Sequence, residues 1–520
     1  MQYSAKFLLV VLGLSLGAIG PCSSARAQLP AEASHVERFT PRAKSLEKAE
    51  GELTAKLAAT PGDAATLSSR GLLRLQLRQD AAGLEDLRSA VAAGPSNPQF
   101  HVNLAYGLLL TRNFQASADE SRKTLTLEER NFAAHELLGR ALLAAHGDRR
   151  EAIEHLQRSL ELNPDQTDLR FELVRALRAE KDYVAAGVQI RILKDMLPGG
   201  DARIEYEQGL LSADMGYPEA AAAGFRRALE SNPDFLPARQ DLGTALIRLE
   251  KWQEAADVLN PLTEAQPNSY LVAYLHALAL ENSHHSDEAE REAKRAVALN
   301  EQSPDAQTLL GITLSSRGRY DEAIAAFDRA VQLAPQSFDA QFYLGRARYA
   351  QSDTAGAAAA LEAAVKLRPS EPEARFLLGT VYEVSGAQDA AMQQYEELLR
   401  INPNDARGYL GLGELLSKAG RNDKALEQLQ KAASLNPENF ETNLALGRLL
   451  AKMGHLGEGI SYLEHAAQES PDSPEVHYQL ALSLQRAGRK AEAAKEFAEV
   501  DRLNRVRRST PGAGAESPKP

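Results

Sequence analysis

The sequence predicts an all-α protein, an α-solenoid of about thirteen helix–turn–helix units running through residues 64–508. Three observations carry that prediction. Prolines recur at Pro61, Pro95, Pro164, Pro198, Pro233, Pro267, Pro335, Pro369, Pro403, Pro437 and Pro471, with separations of 34, 69, 34, 35, 34, 68 and then 34 four times. Two single-residue insertions and two skipped prolines explain every departure, and a fixed period of this length is the mark of a repeat architecture. Units then start at residues 64, 98, 132, 167, 202, 236, 270, 304, 338, 372, 406, 440 and 474. In that frame the eighth position is Gly or Ala in twelve of thirteen units, Val174 being the exception, which suits close approach of two helix backbones. Lastly, the apolar spacing is helical: Leu310, Leu314, Ala323, Ile324, Phe327, Ala330 and Val331 make two stripes split by Arg317-Gly318-Arg319.

Composition points the same way. At roughly 150 residues per domain, 520 residues would suggest three or four globular domains, yet aromatics are only 6%, with one Trp, one Cys and five Met. A core rich in Ala and Leu fits closely packed helices, and the period replaces separate domains with one array.

Taken in chain order, residues 1–27 have the layout of a secretory leader: Lys6 is the positive start, residues 7–20 are an apolar run too short to span a bilayer comfortably, and Ala25-Arg26-Ala27 is a small-x-small cleavage site. Cleavage after Ala27 removes the sole cysteine, Cys22, so the exported chain is held by packing without disulfides. Pro21 occupies the place where lipid attachment at Cys22 needs a small residue, so no lipid anchor is expected. In the N-terminal segment 28–63, residues 42–59 carry Leu46, Ala49, Leu53 and Leu57 at helical spacing and suit a capping helix. Each unit of the array then reads as helix A, a Gly-containing turn and helix B. Asn-Pro closes helix B in four units, where Asn is read as a left-handed cap and the Asp, Asn or Glu after the proline as the start of the next helix. One insertion falls within residues 145–150. The other enlarges the joint at Gly199-Gly200, read either as a harmless loop or as a hinge between four units and nine. The last helix turns polar through Lys495, Asp501, Arg502 and Arg505, and the Pro-, Gly- and Ser-rich tail 509–520 is expected to be disordered.

Several function classes are disfavoured. With 59 Lys+Arg against 71 Asp+Glu, the net charge is −12, and it becomes −14 once Lys6 and Arg26 leave. Nucleic acid is therefore not an expected partner. No other apolar stretch is long and uncharged enough for a membrane span. Glycine pairs such as Gly411 and Gly413 lack a preceding strand and are not phosphate loops. His284-His285 with Asp287 and Glu288 falls on an A–B turn and reads as solvated surface, so no metal or cofactor is expected. No catalytic grouping emerges, and an enzyme is not expected.

The residues Leu310-Gly311, Leu314, Ala323, Phe327, Ala330 and Pro335 closely resemble a unit of the tetratricopeptide repeat (TPR) family, and the resemblance covers residues 64 to about 508. The unit at 98 departs from it with Ser117, Ser121 and Glu129, and the unit at 270 with His276. The resemblance implies a right-handed superhelix whose A helices line a concave groove through unit positions 2, 5, 9, 12 and 13. Position 5 supplies Phe171, Tyr206, Tyr274, Phe342, Phe376 and Tyr478, and position 9 supplies Tyr106, Arg140, Arg175, Arg346 and Arg448. Aromatics beside arginines suit an extended peptide, through stacking and carboxylate pairing. The Lys and Asn pair of carboxylate-clamp co-chaperones is missing, as is the position-6 Asn ladder of the nucleocytoplasmic glycosyltransferases. The expected function is a periplasmic or secreted, non-enzymatic scaffold for protein or peptide partners. The alternatives are an accessory role in cell-envelope polysaccharide assembly or export, and the repeat subunit of a larger enzyme complex.

Overall fold

The computed structural model describes residues 40–509, and among these it contains 27 helices and no strand. The leader at 1–27, its Cys22 and the tail from 510 onward lie outside the described residues. A first helix, Thr40–Ala59, is followed by thirteen A–B pairs, and each A helix begins at the start read from the proline period. The A helices have 13 residues, except Phe440–Met453 with 14; the B helices have 14, except the last, Lys490–Ser509, with 20. The chain is an all-α repeat solenoid. It divides between Ala265 and Gln266 into two compact units, the first holding repeats 1–6 and the second repeats 7–13. The division does not fall at Gly199-Gly200, where Gly200 takes φ +81° inside a turn of the first unit.

Every A–B turn reverses the chain through one left-handed residue at unit position 15, with φ between 53° and 92°. Glycine supplies it in six repeats. In the other seven it is Arg78, Arg112, His146, Lys181, Glu250, His284 or Ser352, side chains that tolerate this conformation less well. The turn is thus set by the geometry of the hairpin, and glycine only makes it easier.

The B–A joints correct two sequence expectations. Asn163, Asn232, Asn402 and Asn436 have φ from −127° to −146°, so they are extended and not left-handed. A following proline favours that conformation in its predecessor, and the joint itself demands it, since Glu128 and Asn300 adopt it with no proline after them. Nor does the residue after the proline cap the next helix. Proline and its successor occupy the middle of a turn closed by Asp405 N–H donating to the Asn402 carbonyl (3.2 Å). The cap is one residue further on, as where Asp405 accepts from Arg407 N–H and Asn439 accepts from Thr442 N–H.

Within a hairpin, the eighth position faces position 24 of helix B. A Cβ placed on Gly311 would lie 2.5 Å from the Phe327 ring, and one on Gly243 would lie 2.5 Å from Leu259. Where position 8 is alanine, position 24 is usually small: Ala105 pairs with Ser121 and Ala277 with Ala293. The departures of the unit at 98 are therefore compensated. There Ser117 and Ser121 are buried and satisfied, Ser117 Oγ donating to the Ala105 carbonyl (2.7 Å) and Ser121 Oγ to the Ser117 carbonyl (2.8 Å). The first helix covers repeat 1: Leu57 packs with Leu67, Ala90 and Phe100, and Glu50 pairs with Arg74 at 2.8 Å.

Candidate partner-binding face

Unit positions 2, 5, 9 and 12 lie on one side of helix A because a helix returns to the same face every three to four residues. In the first compact unit, Tyr106 is 44% exposed and stands on that face unobstructed. The arginines below it are already engaged. Arg140 bonds Glu172 (2.8 and 3.0 Å) and also pairs with Glu136, and burial pushes the Glu136 carboxyl up. Arg175 (2.7 Å) and Arg178 (2.8 Å) converge on Glu207, which is 1% exposed. Phe171 is only 2% exposed and lies under the guanidinium of Arg203, 4.4 Å from its ring centre. Arg203 is fixed in turn by Asp201 (2.7 Å) and Asp168 (3.0 Å). Tyr206 donates to Asp241 (2.7 Å) and meets Phe235 edge-on, 5.0 Å between ring centres; burial raises the Asp241 carboxyl to about 6.

In the second compact unit, Tyr274 stacks on Tyr270 (6.0 Å) and Phe342 on Phe338 (5.7 Å), each pair one helical turn apart. Phe342 is 3% exposed. Arg346 is exposed, sits 5.4 Å from the Tyr343 ring and has no carboxylate partner among the described residues. Phe376 lies 4.4 Å beneath Arg407, which Asp405 and Glu373 hold at 2.9 Å each. Arg448 pairs with Glu475 (3.1 Å), and Tyr478, exposed, meets Phe497 edge-on (6.1 Å).

The structure thus sorts the eleven residues read from the sequence. Tyr106, Arg346 and Tyr478 are open on the A-helix face. Tyr206, Tyr274 and Phe376 are half-buried, and Arg140, Arg175 and Arg448 are ion-paired. Phe171 and Phe342 form the floor and do not stack on a ligand, because position 5 packs against its neighbours before it meets solvent. The arginines do not make a positive strip, since carboxylates of adjacent helices neutralise most of them. His284 and His285 occupy an A–B turn, with His285 3.8 Å from Glu288 and Asp287 paired with Arg317. Among the described residues, no three His, Cys, Asp or Glu side chains converge as metal ligands.

Family models described as tetratricopeptide repeat match residues 137–190, 274–338, 342–406 and 444–505, a second matches 213–279 and a third 394–427. One described as TPR repeat matches 413–454, and together the models reach about two thirds of the chain. The chain belongs to the tetratricopeptide repeat family. No curated protein matches it. Solved structures similar to it include YrrB, titled a TPR protein with an unusual peptide-binding site (22% identity, 36% of this chain and 96% of that one, TM-score 0.33). Others are the APC/C hetero-tetramer Cut9–Hcn1 (16%, 85% and 93%, 0.41) and TTC0263, a thermophilic TPR protein of Thermus thermophilus (25%, 35% and 100%, 0.29).

Tetratricopeptide units here carry a second set of A-helix residues that positions 5 and 9 alone do not reveal. Position 2 holds Asp168, Arg203, Asp305, Asp339, Glu373 and Arg407, a column of mixed charge. Its signal was in the same 34-residue frame, three places before position 5. The array is a scaffold for protein–protein interaction, and among the described residues no helix is long and apolar enough to cross a membrane.

Proposed function

We propose that this chain is an exported, non-enzymatic scaffold that holds extended segments of protein partners along its A-helix faces. The observation that carries the reading is the set of Tyr106, Arg346 and Tyr478, open on A helices while the rings beneath them are locked by packing. Aromatic side chains on a pre-formed surface contribute contact area at small entropic cost, and arginine adds planar hydrogen-bond donors beside them. The leader-like residues 1–27 support export.

The test is photo-crosslinking in cells, with a photoreactive phenylalanine replacing Tyr106, Arg346 or Tyr478 in the full chain. Adducts with other polypeptides are expected from these sites and not from Val184, which is 82% exposed on a B helix. Adducts from Val184 alone, or from none of the four, would sink the A-face reading. The same cells report export: the recovered chain should begin at Gln28, and a cytosolic chain retaining Met1 would refute it.

A further inference from the structure

Two places in the array show how this fold holds a guanidinium. Arg203 covers the Phe171 ring at 4.4 Å and is bonded by Asp201 and Asp168; Arg407 covers Phe376 at 4.4 Å and is bonded by Asp405 and Glu373. In both, the cation comes from position 2 of one repeat and the aromatic from position 5 of the repeat before. The hairpin geometry therefore sets a position-2 side chain against the preceding position-5 ring. At the junction of repeats 7 and 8 the ring is Tyr274, but position 2 is Asp305. The aromatic and an acid remain, and the chain's own cation is missing. Asp305 is exposed and has no hydrogen bond or ion pair among the described residues.

What surrounds Asp305 is set up for a cation. Tyr270 and Tyr274, stacked on each other at 6.0 Å, both lie in the field of Asp305, and Asp339, one repeat on, lies close enough to act on Tyr274 and to be acted on by Asp305. Burial, helped by the field of Asp305 and opposed by Arg368, raises the Asp339 carboxyl to about 6. Arg368, 4.3 Å over Phe338 and 3.8 Å from Asp339, engages one side of Asp339 only; its Oδ1 is buried with no hydrogen-bond partner. A buried carboxylate oxygen without a donor, beside a second carboxylate, is costly until a donor arrives. Aromatic walls add cation–π attraction.

We infer that the notch formed by Tyr270, Tyr274, Asp305 and Asp339 binds the lysine ammonium or arginine guanidinium of an extended partner segment. The partner stands where Arg203 and Arg407 stand in the other two copies. This deepens the A-face reading and rests on it, but reverses the polarity expected from the sequence: the partner brings the cation, and the array brings the acids.

The experiment is selection of random twelve-residue peptides displayed on phage against the full chain, followed by affinity measurements on the enriched peptides. Enrichment of Lys or Arg is expected, with affinity falling at least ~tenfold for D305N. D305R, which rebuilds the internal guanidinium over Tyr274, should abolish binding. Because Asp305 has no partner in the fold and repels Asp339, D305N should unfold no lower than the wild type. Peptides without a cationic preference, or indifferent to D305N and D305R, overturn the inference. If such peptides respond instead to R346A or Y478A, the A-face reading survives without the notch. If no peptide is enriched, both fall.

Discussion

At the residue scale, the tightest constraint is the contact between position 8 and position 24. Gly311 has no Cβ because the Phe327 ring, fully buried, occupies that space. G311A must displace a ring that has nowhere to go, and overpacking of this kind costs about 1–3 kcal/mol. The expected result is a lower denaturant midpoint with an unchanged slope, and a smaller loss in an F327A background, where the space is vacated as it is where Ala277 faces Ala293. Equal losses in the two backgrounds would show that Gly311 acts through the backbone alone. This pairing was half legible in the sequence. The column of Gly and Ala is plain in a 34-residue frame, but its partner column, sixteen residues on, holds Phe, Leu, Tyr, Ile, Ser and Ala, and makes sense only once the two are read as one volume. Ser121 opposite Ala105 looked like a flaw in its unit and is a compensated fit. Phe171 and Phe342 misled for a related reason: a ring at position 5 is counted as surface by its column, yet the neighbouring helix reaches it before solvent does.

At the element scale, the structure shows a device that periodicity did not expose. Position 4 of helix A ties the turn before it to the helix B after it. Its side chain donates to the carbonyl six residues upstream: His101 to Pro95 (2.9 Å), Arg170 to Pro164 (3.0 Å), Arg375 to Pro369 (2.8 Å), Tyr409 to Pro403 (3.1 Å), Asn443 to Pro437 (2.8 Å) and His477 to Pro471 (2.9 Å). The far end often meets helix B, as His101 does at Glu120 (2.7 Å), Arg170 at Gln189 (2.6 Å) and Arg375 at Gln394 (3.0 Å). Chemically unlike residues share the role, so no column of identical letters announces it; the common property is a donor that reaches a proline-turn carbonyl. In repeat 3 the tie is a histidine pair. His135 Nε2 donates to the Glu129 carbonyl (3.1 Å), which leaves its Nδ1 to accept from His155 Nδ1–H at 2.9 Å. Burial lowers both imidazoles; Arg158 reinforces this at His135, and His135 and Arg122 at His155, while Glu129 and Glu161 at the one and Glu151 and Glu154 at the other pull upward. A lowered folded value means that the unfolded chain takes up protons first. Stability from the pair is complete above the unfolded value, about 6.5, and declines as pH falls below it. Gln fills these two places elsewhere, as Gln341 and Gln189 do. H135Q/H155Q is thus expected to flatten the loss of thermal stability between about pH 7 and pH 5, and an unchanged slope would remove the pair from the pH response.

At the scale of the whole molecule, a 34-residue hairpin cannot bury its own apolar stripes, so each repeat is stabilised by its neighbours and by nothing further along the chain. The buried clusters are accordingly local: one gathers Leu156, Leu173, Ile190, Leu193 and Ile204 of repeats 3–5, another Tyr395, Leu412, Leu429 and Leu446 of repeats 10–12. The sequence carried this organisation in full, because the period is itself the statement that neighbours are equivalent. The division at Ala265 was not read from it, although the unit that follows, starting at 270, is one that departs from the signature at His276. A functional consequence follows from local stabilisation: a partner docked on repeats 7–9 draws on the order of those repeats alone. Damage placed elsewhere should leave that surface intact. L193A removes a fully buried side chain from the first cluster and should cost about 2–5 kcal/mol there. Hydrogen exchange measured along the intact chain is then expected to quicken across repeats 3–5 and to stay at wild-type rates in repeats 9–12. Faster exchange throughout would mean that the array unfolds as one cooperative body, and that its binding faces rise and fall together.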